Sequence, residues 1–343
     1  MNPEQVLDYP YAAPPPGETR EVAPGVHWVR MPLPFALDHI NLWLLEDDDG
    51  LAMVDCGLGN SATRELWQRI FDGFFCGRVA RRVITTHLHP DHAGNAGWLT
   101  ERFRAPLVMS QAEFLMAHAW REEMAGYSID ALTAHLARNG LDPERVAAIA
   151  QRGNAYRRAV PEFPLAYHRI MEGDEIVIGG RTWRVIMGYG HAPEHASLYC
   201  EAIGVLISGD MLLPRISTNI SVHHVDPDGD PLALFLASLR RLVALTPADT
   251  LVLPSHGLPF RGMRERVAQL EEHHALRLGE LEEACGEAKS AAEVIGTLFR
   301  RSLDAHQTLF AMGESLAHLN YLMHQRRLAR ALGADGIVRF VGS

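Results

Sequence analysis

A histidine-rich motif at residues 87–92, which reads His-Leu-His-Pro-Asp-His, places four potential metal ligands within six residues. It comes directly after an apolar run at residues 82–86 that predicts a buried strand. His87 and His89 are two positions apart, so at the extended end of a strand their side chains project to the same side. The motif therefore combines ligand chemistry with a strand end that can present it.

The same motif continues across a proline into Asp91 and His92, in a turn that can aim both side chains at a second point nearby. Imidazole and carboxylate groups are the usual ligands of zinc, and three protein ligands plus a water make a catalytic site. The chain has 18 histidines, so two neighbours could fall together by chance. The aspartate and the strand-then-turn context favour a metal site over chance.

Four further motifs follow a fixed order along the chain, and together with the histidine motif they cover roughly residues 20–265. Five motifs in order are far more specific than any one of them. The four motifs are Val54-Asp-Cys-Gly57, Gly190-His191, Ile207-Ser-Gly-Asp210 and Val252-Leu-Pro-Ser-His-Gly257. On these residues the chain resembles the metallo-β-lactamase fold hydrolases, in the branch that includes glyoxalase II and thioesterases.

The resemblance implies an α/β fold, the αβ/βα sandwich, in which two mixed sheets pack face to face with helices outside. We expect an extended N-terminal arm at residues 1–19, a hydrolase domain at 20–262 with a helical insertion at about 110–160, and a helical linker with a winged-helix-like domain at 263–343. Apolar runs predict ten strands. These are Val26–Arg30, Ile40–Leu45, Leu51–Val54, Val83–Thr86, Leu107–Met109, Glu175–Ile178, Thr182–Met187, Ser197–Cys200, Val205–Ser208 and Thr250–Leu253.

Helix starts can be read between these strands. Asn60 can cap a helix that runs to Ile70, and Ser110 with Glu113 fits a capping box. Asp142 and Asp230 each precede a proline, which suits the first helical position. We interpret the helical insertion as packed over the mouth of the site, with ordinary connecting helices as the alternative.

Apolar side chains in the insertion are too closely spaced for a single core stripe, so some should face a second apolar environment. An acyl pocket beside the metals would provide that environment, and a dimer interface is the alternative. The side chains are Phe114, Leu115, Met116, Trp120 and Met124.

The C-terminal segment predicts helices followed by two short strands, and residues 314–322 resemble a helix of the winged-helix tail found on one subset of this hydrolase family. Acidic residues flank it, so packing on the hydrolase domain or homodimerisation is favoured over nucleic-acid binding. His318 and His324 are spaced for one helix face. Single histidines on an amphipathic helix are more often surface or partly buried residues than metal ligands, and we leave both out of the site.

The resemblance also implies the roles of seven ligands to two divalent metal ions per chain, Zn²⁺ with iron or manganese as alternatives. His87, His89 and His191 would hold the first ion, and Asp91, His92 and His256 the second. Asp210 would bridge the pair. A hydroxide shared by two such ions is a nucleophile at neutral pH. We assign the catalytic role to Asp91, with His87 and His89, because Asp91 could orient the hydroxide and carry a proton to the leaving group.

Substrate contacts are predicted from position alone. Asn219 and His223 lie in the loop that follows the bridging aspartate, and Tyr189 flanks a ligand, as does His195. The segment around His256 departs from that of the glyoxalase II enzymes, so glutathione-binding residues cannot be carried over. Histidine at position 89, where the flavodiiron branch usually has glutamate, disfavours that branch.

Composition narrows the class of partner. The formal net charge of −10 disfavours nucleic acid, because binding to phosphate backbones rests on clustered lysine and arginine. Four cysteines form no CxxC pair and no disulfide pattern, which is typical of a reducing cytoplasm. No apolar run approaches the ~18 residues of a membrane span, and no signal segment is visible. We therefore expect a cytoplasmic protein without a membrane partner.

Taken together, these patterns predict a dinuclear metal-dependent hydrolase that attacks the carbonyl of a small acyl compound, a thioester or ester, with a metal-bound hydroxide. A phosphodiesterase or ribonuclease of the same fold is favoured by the tail and opposed by the charge. A lactonase or β-lactamase-like amide hydrolase is a further alternative. A non-catalytic metal-binding regulator belongs to a different class, and the complete ligand sets disfavour it.

Overall fold

The structure is a computed structural model that describes residues 7–124 and 126–343. The chain forms two compact units, each assembled from three stretches of sequence. The first unit contains the described residues up to Arg121, Tyr156–Thr218 and Ser238–Val267. The second contains Glu122–Ala155, Asn219–Ala237 and Ala268–Ser343.

Two β-sheets form the first unit. A seven-stranded sheet has the order β1 to β7, antiparallel from β1 to β4 and parallel from β4 to β7. A five-stranded sheet has the order β12-β11-β10-β9-β8, in which only β11 and β12 run parallel. The strands are β1 Thr19–Ala23, β2 Val26–Pro32, β3 His39–Asp47, β4 Gly50–Val54, β5 Ala80–Ile84, β6 Leu107–Met109, β7 His168–Arg169, β8 Glu175–Ile178, β9 Arg181–Gly188, β10 His195–Cys200, β11 Val205–Gly209 and β12 Leu251–Pro254.

The alternation of side chains along β3 shows how the layers are built. Trp43 and Leu45 point into a core shared with Trp183 and Leu198 of the five-stranded sheet, so the two sheets pack face to face. Leu42, on the opposite face of β3, packs in a second core with side chains from the helices outside the first sheet. The predicted αβ/βα sandwich is therefore confirmed.

All ten predicted strands are present, with ends shifted by a few residues. Two strands were not predicted. The first, β1, is a mostly polar edge strand, and the second, β7, is two exposed residues paired to β6, so neither carries an apolar signal.

Eleven α-helices are present among the described residues. The predicted caps at Asn60 and Asp142 accept hydrogen bonds from Thr63 N and Arg145 N, and Asp230 accepts one from Ala233 N. The helices are α1 Ser61–Ile70, α2 Pro90–Ala93, α3 Ala96–Phe103, α4 Gln111–Arg121, α5 Ile129–Arg138, α6 Pro143–Gln151, α7 Ala155–Ala159, α8 Pro231–Leu245, α9 Met263–Ala284, α10 Ile295–Leu298 and α11 Ala305–His324.

The capping box predicted at Ser110 and Glu113 is wrong. Ser110 Oγ donates to the carbonyl of Glu194 instead, and Glu113 accepts from backbone N–H groups outside its own helix. The N-terminus of α4 is capped by a side chain distant in sequence, because Glu194 Oε2 accepts from Ala112 N at 3.1 Å. A tertiary partner has replaced the local cap.

The second unit is mainly helical and ends in a hairpin of β13 (Leu328–Leu332) and β14 (Val338–Gly342). Within it, His274 Nδ1 lies 3.1 Å from His318 Nε2, and both side chains are buried. Burial and the neighbouring His318 lower the pKa of His274 to about 3, and burial lowers the pKa of His318 to about 4. The histidines therefore stay neutral and share one hydrogen bond.

The winged-helix assignment of residues 263–343 stays a prediction.

In the described part of the chain, no helix is long and apolar enough to cross a membrane. The four cysteines are all free thiols. The expected role of the insertion at about 110–160 as a cover for the site stays a prediction. The expected N-terminal arm begins with residues 1–6, which lie outside the described residues.

Candidate metal centre

The seven predicted ligands lie in four short segments of the first unit, each just after the end of a strand. His87, His89, Asp91 and His92 follow β5. The remaining three follow strands of the five-stranded sheet, namely His191 after β9, Asp210 after β11 and His256 after β12. Because both sheets supply ligands, the centre forms only when the sandwich is assembled.

Three imidazole nitrogens converge in the first cluster, which consists of His87, His89 and His191. His87 Nε2 lies 2.8 Å from His89 Nδ1, and His191 Nε2 lies 3.1 Å from both of these atoms. His87 is fully buried and His191 nearly so. Three imidazoles that aim ring nitrogens at one point form the ligand arrangement of a catalytic zinc site.

The second cluster consists of Asp91, His92 and His256. His256 Nε2 lies 3.4 Å from Asp91 Oδ2, and His92 Nε2 lies 3.8 Å from the same oxygen. Both histidines are buried, whereas the side chain of Asp91 keeps 20% of its surface exposed. Asp91 is therefore the ligand of this cluster that solvent or a substrate can reach.

Asp210 lies between the clusters and turns one oxygen toward each. Its Oδ2 is 3.4 Å from His191 Nε2 of the first cluster. Its Oδ1 is 3.4 Å from His256 Nε2 and 3.5 Å from His92 Nε2 of the second. A carboxylate in this orientation can bridge two cations, with one oxygen for each.

Two buried donor atoms of the clusters lack hydrogen bonds, which is what the ligand atoms of a divalent metal site would show. Among the described residues, His92 Nε2 and Asp210 Oδ1 are buried and accept or donate no hydrogen bond. Buried polar atoms without partners are costly, and a metal ion would satisfy both. The structure thus brings together all seven residues that the sequence assigned to two ions.

A buried carboxylate orients His92. Asp55 Oδ2 lies 2.8 Å from His92 Nδ1, and Asp55 also accepts from the backbone N–H and hydroxyl of Thr86. The backbone of Asp55 has a φ of 63°, in the left-handed region that non-glycine residues rarely adopt. The carboxylate accepts from Nδ1–H of His92 and so turns Nε2 of the ring toward the second cluster.

The backbone of Asp210 is held by His195, whose Nε2 accepts from Asp210 N at 3.0 Å. His195 is buried, and burial lowers its pKa to about 3, so the ring is neutral. Gly209 makes this approach possible. It has a φ of 55°, and a Cβ atom there would lie 2.2 Å from His195 Nε2.

His256 is oriented from the first sheet, because its Nδ1 donates to the carbonyl of His39 at 2.7 Å. His39 Nε2 in turn accepts from Gly257 N at 2.7 Å. Asn41 Nδ2 donates to the carbonyls of Pro254 and Gly257 on either side of this ligand. The last ligand loop is thus held to β3 at several points.

Electrostatics around the centre favour ionised carboxylate. Burial opposes charge on Asp210, but His256 and His92 outweigh it and hold its pKa well below the usual range. Burial likewise opposes charge on His92, but Asp55, Asp91 and Asp210 raise its pKa well above the ordinary value. His87 has no carboxylate to offset its burial, and its pKa lies well below the ordinary value.

The predicted substrate contacts lie in different parts of the chain. Tyr189, in the first unit, is half-buried against the core between the sheets. Asn219 and His223 belong to the second unit, where Asn219 donates to Glu314 Oε2 at 3.2 Å. Their roles toward a substrate stay predictions.

Sequence reasoning missed several residues that support the ligands. Asp55 was noticed only as part of a strand-and-turn motif, and His39 carried no local signal. Their partners lie 37 and 217 residues away in the chain. No local spacing could have indicated these contacts.

Comparison with known proteins gives the family. The sequence profile of the metallo-beta-lactamase superfamily matches residues 36–256, and that of the metallo-beta-lactamase-like C-terminal domain matches residues 278–343. The structure is similar to that of a beta-lactamase domain protein from Burkholderia ambifaria, with a TM-score of 0.92, 48% identity and full coverage of both chains.

Relatives found by sequence comparison are also named as hydrolases. The protein called "Probable metallo-hydrolase YqjP" in Bacillus subtilis is 24% identical over 308 residues, which cover 86% of this chain and 91% of that protein. A protein of Idiomarina loihiensis named hydroxyacylglutathione hydrolase is 24% identical over 179 residues, which cover 52% of this chain and 48% of that protein. With its His and Asp clusters at the ends of the sandwich strands, the chain belongs to the metallo-beta-lactamase superfamily, as a metal-binding hydrolase.

Proposed function

We propose that this hydrolase uses two metal ions to cleave a thioester or ester bond of a small acyl compound. The observation that carries the dinuclear part is Asp210, which turns one carboxylate oxygen toward each ligand cluster. A mononuclear site would have no use for the second oxygen or for a second complete set of ligands. The unsatisfied Nε2 of His92 supports the same reading.

In this proposal, His87, His89 and His191 would hold one ion, Asp91, His92 and His256 would hold the other, and Asp210 would serve both. When bound, divalent ions would lower the pKa of a water molecule and polarise the acyl carbonyl. The donor set of imidazole and carboxylate suits zinc, with iron and manganese as alternatives.

Asp91 is the group we propose to move a proton. It is the partly exposed member of the second cluster, and its Oδ2 faces His256. A carboxylate in this position can accept a proton from the attacking water and pass it to the leaving thiolate or alkoxide. Asp55 and His195 act through the ligands they orient and do not meet the substrate.

The acyl assignment rests on three supports. The relative from Idiomarina loihiensis is named hydroxyacylglutathione hydrolase, a name that describes hydrolysis of an acyl compound. The net charge of −10 disfavours a polyanionic substrate such as RNA. An aromatic wall of Trp120 and Tyr156 stands beside the first cluster, with the ring of Trp120 6.4 Å from that of His89. Such a wall suits an apolar acyl group.

We further propose that the chain acts without a nucleic-acid or membrane partner, and that it forms homodimers through the helical insertion or the C-terminal tail. Size-exclusion chromatography with light scattering tests the dimer directly. A monomer across the working concentration range would remove this part of the proposal and leave the hydrolase assignment intact.

A substrate panel tests the reaction. Purified protein is assayed against acyl-CoA, acyl-glutathione, a lactone, a β-lactam and bis(p-nitrophenyl) phosphate, with Asp91→Asn as the inactive control. The proposal expects the highest kcat/KM on a thioester or ester, and loss of that rate in Asp91→Asn. The highest kcat/KM on the phosphodiester would replace it with a phosphodiesterase, and turnover of the β-lactam or lactone with an amide or lactone hydrolase. Full metal content with no turnover would favour a regulator.

A further inference from the structure

Both peptide groups of Leu88 are held by side chains from elsewhere in the first unit. Leu88 stands between two ligands of the first cluster and is itself fully buried. Its N–H donates to Glu113 Oε2 of α4 at 2.9 Å, and its carbonyl accepts from the hydroxyl of Tyr156 at 2.8 Å. The backbone that spaces His87 from His89 is therefore fixed on both sides.

The same glutamate also reaches the third ligand of the cluster. Glu113 Oε1 accepts from Glu194 N at 2.7 Å, in the loop between β9 and β10 that carries His191. One carboxylate thus ties together the two segments that supply all three histidines of the first cluster. Two further hydrogen bonds join the start of α4 to Glu194. Ser110 Oγ donates to the Glu194 carbonyl, and Ala112 N donates to the Glu194 carboxylate.

Glu113 has no surface exposed, so its carboxylate is removed from water and depends on the two N–H groups for compensation. Ordinary helix capping does not require such burial, since the same residue could have served α4 from the surface. What the buried position adds is a fixed distance between the two ligand segments. Separations between donor atoms are what decide how well a site binds its ion.

We propose that Glu113 and Tyr156 are positioning residues that set the separation of His87, His89 and His191, and thereby the affinity of the first cluster for its ion. Neither residue contacts the donor nitrogens. The proposal deepens the proposed function, because it rests on the first cluster holding one of two metal ions. Loss of either contact should weaken binding at that cluster by about 10- to 100-fold, the range typical of groups that orient metal ligands.

The test compares Glu113→Gln and Tyr156→Phe with matched controls. Glutamine keeps the shape of Glu113 but sets an amide NH₂ against a backbone N–H, and phenylalanine removes one hydroxyl. Asp47→Asn is the control for the first, because Asp47 is also buried and accepts from a backbone N–H, that of Gly179, at 3.1 Å. Tyr167→Phe is the control for the second, because Tyr167 also packs against α4, where its ring stacks on Phe114 beside Glu113.

Two readouts are independent of turnover. Zinc dissociation constants are measured by chelator competition, in wild type and in a His256→Ala background whose second cluster is incomplete. The visible absorption of the cobalt-substituted proteins reports the geometry of the coordinating nitrogens. We expect weaker zinc binding and an altered cobalt spectrum in Glu113→Gln and Tyr156→Phe, in both backgrounds, and wild-type behaviour in both controls.

Wild-type affinities and spectra in both variants would overturn the inference. If Glu113→Gln does not fold, as judged by circular dichroism, Tyr156→Phe alone decides. The proposed function fails separately, on the stoichiometry of the wild-type protein. One ion per chain would contradict the dinuclear proposal, yet the His256→Ala background would still test Glu113 and Tyr156. No bound ion in the wild-type protein would contradict both proposals.

Discussion

Asp55 accepts a hydrogen bond from Nδ1 of His92 over 2.8 Å, and both side chains are buried. The carboxylate does not belong to either ligand cluster, but it holds Nδ1–H of His92 and so turns Nε2 toward the second cluster. The second cluster therefore depends on a residue that no ion would touch.

Replacing Asp55 should weaken the second cluster selectively. In Asp55→Asn the amide can turn either its oxygen or its NH₂ toward His92, so Nδ1–H no longer has a fixed acceptor and the ring is less firmly oriented. We expect affinity for one of the two ions to fall by about 10- to 100-fold, measured by chelator competition. Asp47→Asn, which also removes a buried carboxylate charge, should leave both affinities unchanged. Equal affinities in Asp55→Asn and wild type would contradict the orienting role.

Metal content is the most direct check on the bridging carboxylate. Elemental analysis of protein purified without chelator should find close to two transition-metal ions per chain. Asp210→Ala should lose roughly one of them or most of the activity, because each oxygen of Asp210 faces one cluster. Full occupancy together with full activity in this variant would rule out the bridge.

Gly209 is expected to tolerate no side chain, for a steric reason that can be isolated. Its positive φ alone should cost Gly209→Ala about 1–3 kcal/mol in the free energy of unfolding. The clash with His195 Nε2 adds to this cost and displaces Asp210. Gly204→Ala is the matched control, because Gly204 has a φ of 60° and open space around its Cβ position.

Urea denaturation measures both variants. Gly209→Ala should be the less stable of the two and should also bind less metal. Equal losses of stability, with unchanged metal content, would show that His195 moves aside without consequence.

Stability below neutral pH should depend on the histidine pair of the second unit. His274 and His318 have folded-state pKa values of about 3 and about 4, below the ordinary value near 6.5. At pH values between the folded-state pKa values and 6.5, the unfolded chain binds more protons than the folded chain. The stability that the neutral pair contributes is therefore complete above pH 6.5 and is lost as the pH falls toward 3 to 4.

The variant His274→Gln removes one of these titrations and keeps a hydrogen-bonding side chain. From pH 7 to pH 5 its stability should fall less than that of wild type, by about 2 kcal/mol. Urea unfolding at several pH values measures the difference. His168→Gln, at an exposed position, is the control and should follow wild type. Parallel curves for His274→Gln and wild type would mean that folding does not lower the pKa of His274.

Trp120 should influence which acyl group is accepted. Its ring lies nearly parallel to that of His89 and edge-on to Tyr156, at the side of the first cluster. We expect Trp120→Ala to change the ratio of kcat/KM between short and long acyl substrates while metal content stays the same. Trp98→Ala, which removes a half-buried tryptophan from α3, should leave that ratio unchanged. An unchanged ratio with a shift from dimer to monomer would assign Trp120 to assembly.

Local patterns predicted the strands, and the family resemblance then implied the ligands at the strand ends. A buried strand needs an unbroken or alternating apolar run, and the ligands follow directly at its end, as with Asp210 after β11. Strand β7 has no such apolar run, because both of its residues are exposed. Only its pairing with β6 defines it as a strand.

Contacts between distant segments were beyond such patterns. Ser110 and Glu113 have the spacing of a capping box, and local chemistry alone favours that reading. The tertiary fold brings Leu88 and Glu194 to the carboxylate instead, across 25 and 81 residues. The same spacing can serve either purpose, and only the assembled sandwich selects between them.

The first cluster takes two histidines from the end of β5 and one from the end of β9, so its ligands belong to opposite halves of the sandwich. An ion held there would act as a cross-link between the sheets, and only the folded chain could bind it with all three nitrogens. By mass action, free metal at 100 times its dissociation constant adds about 2.7 kcal/mol to the free energy of unfolding. Cellular supply of the metal would therefore control how much of this protein survives unfolding and proteolysis, and not only how much of it is active.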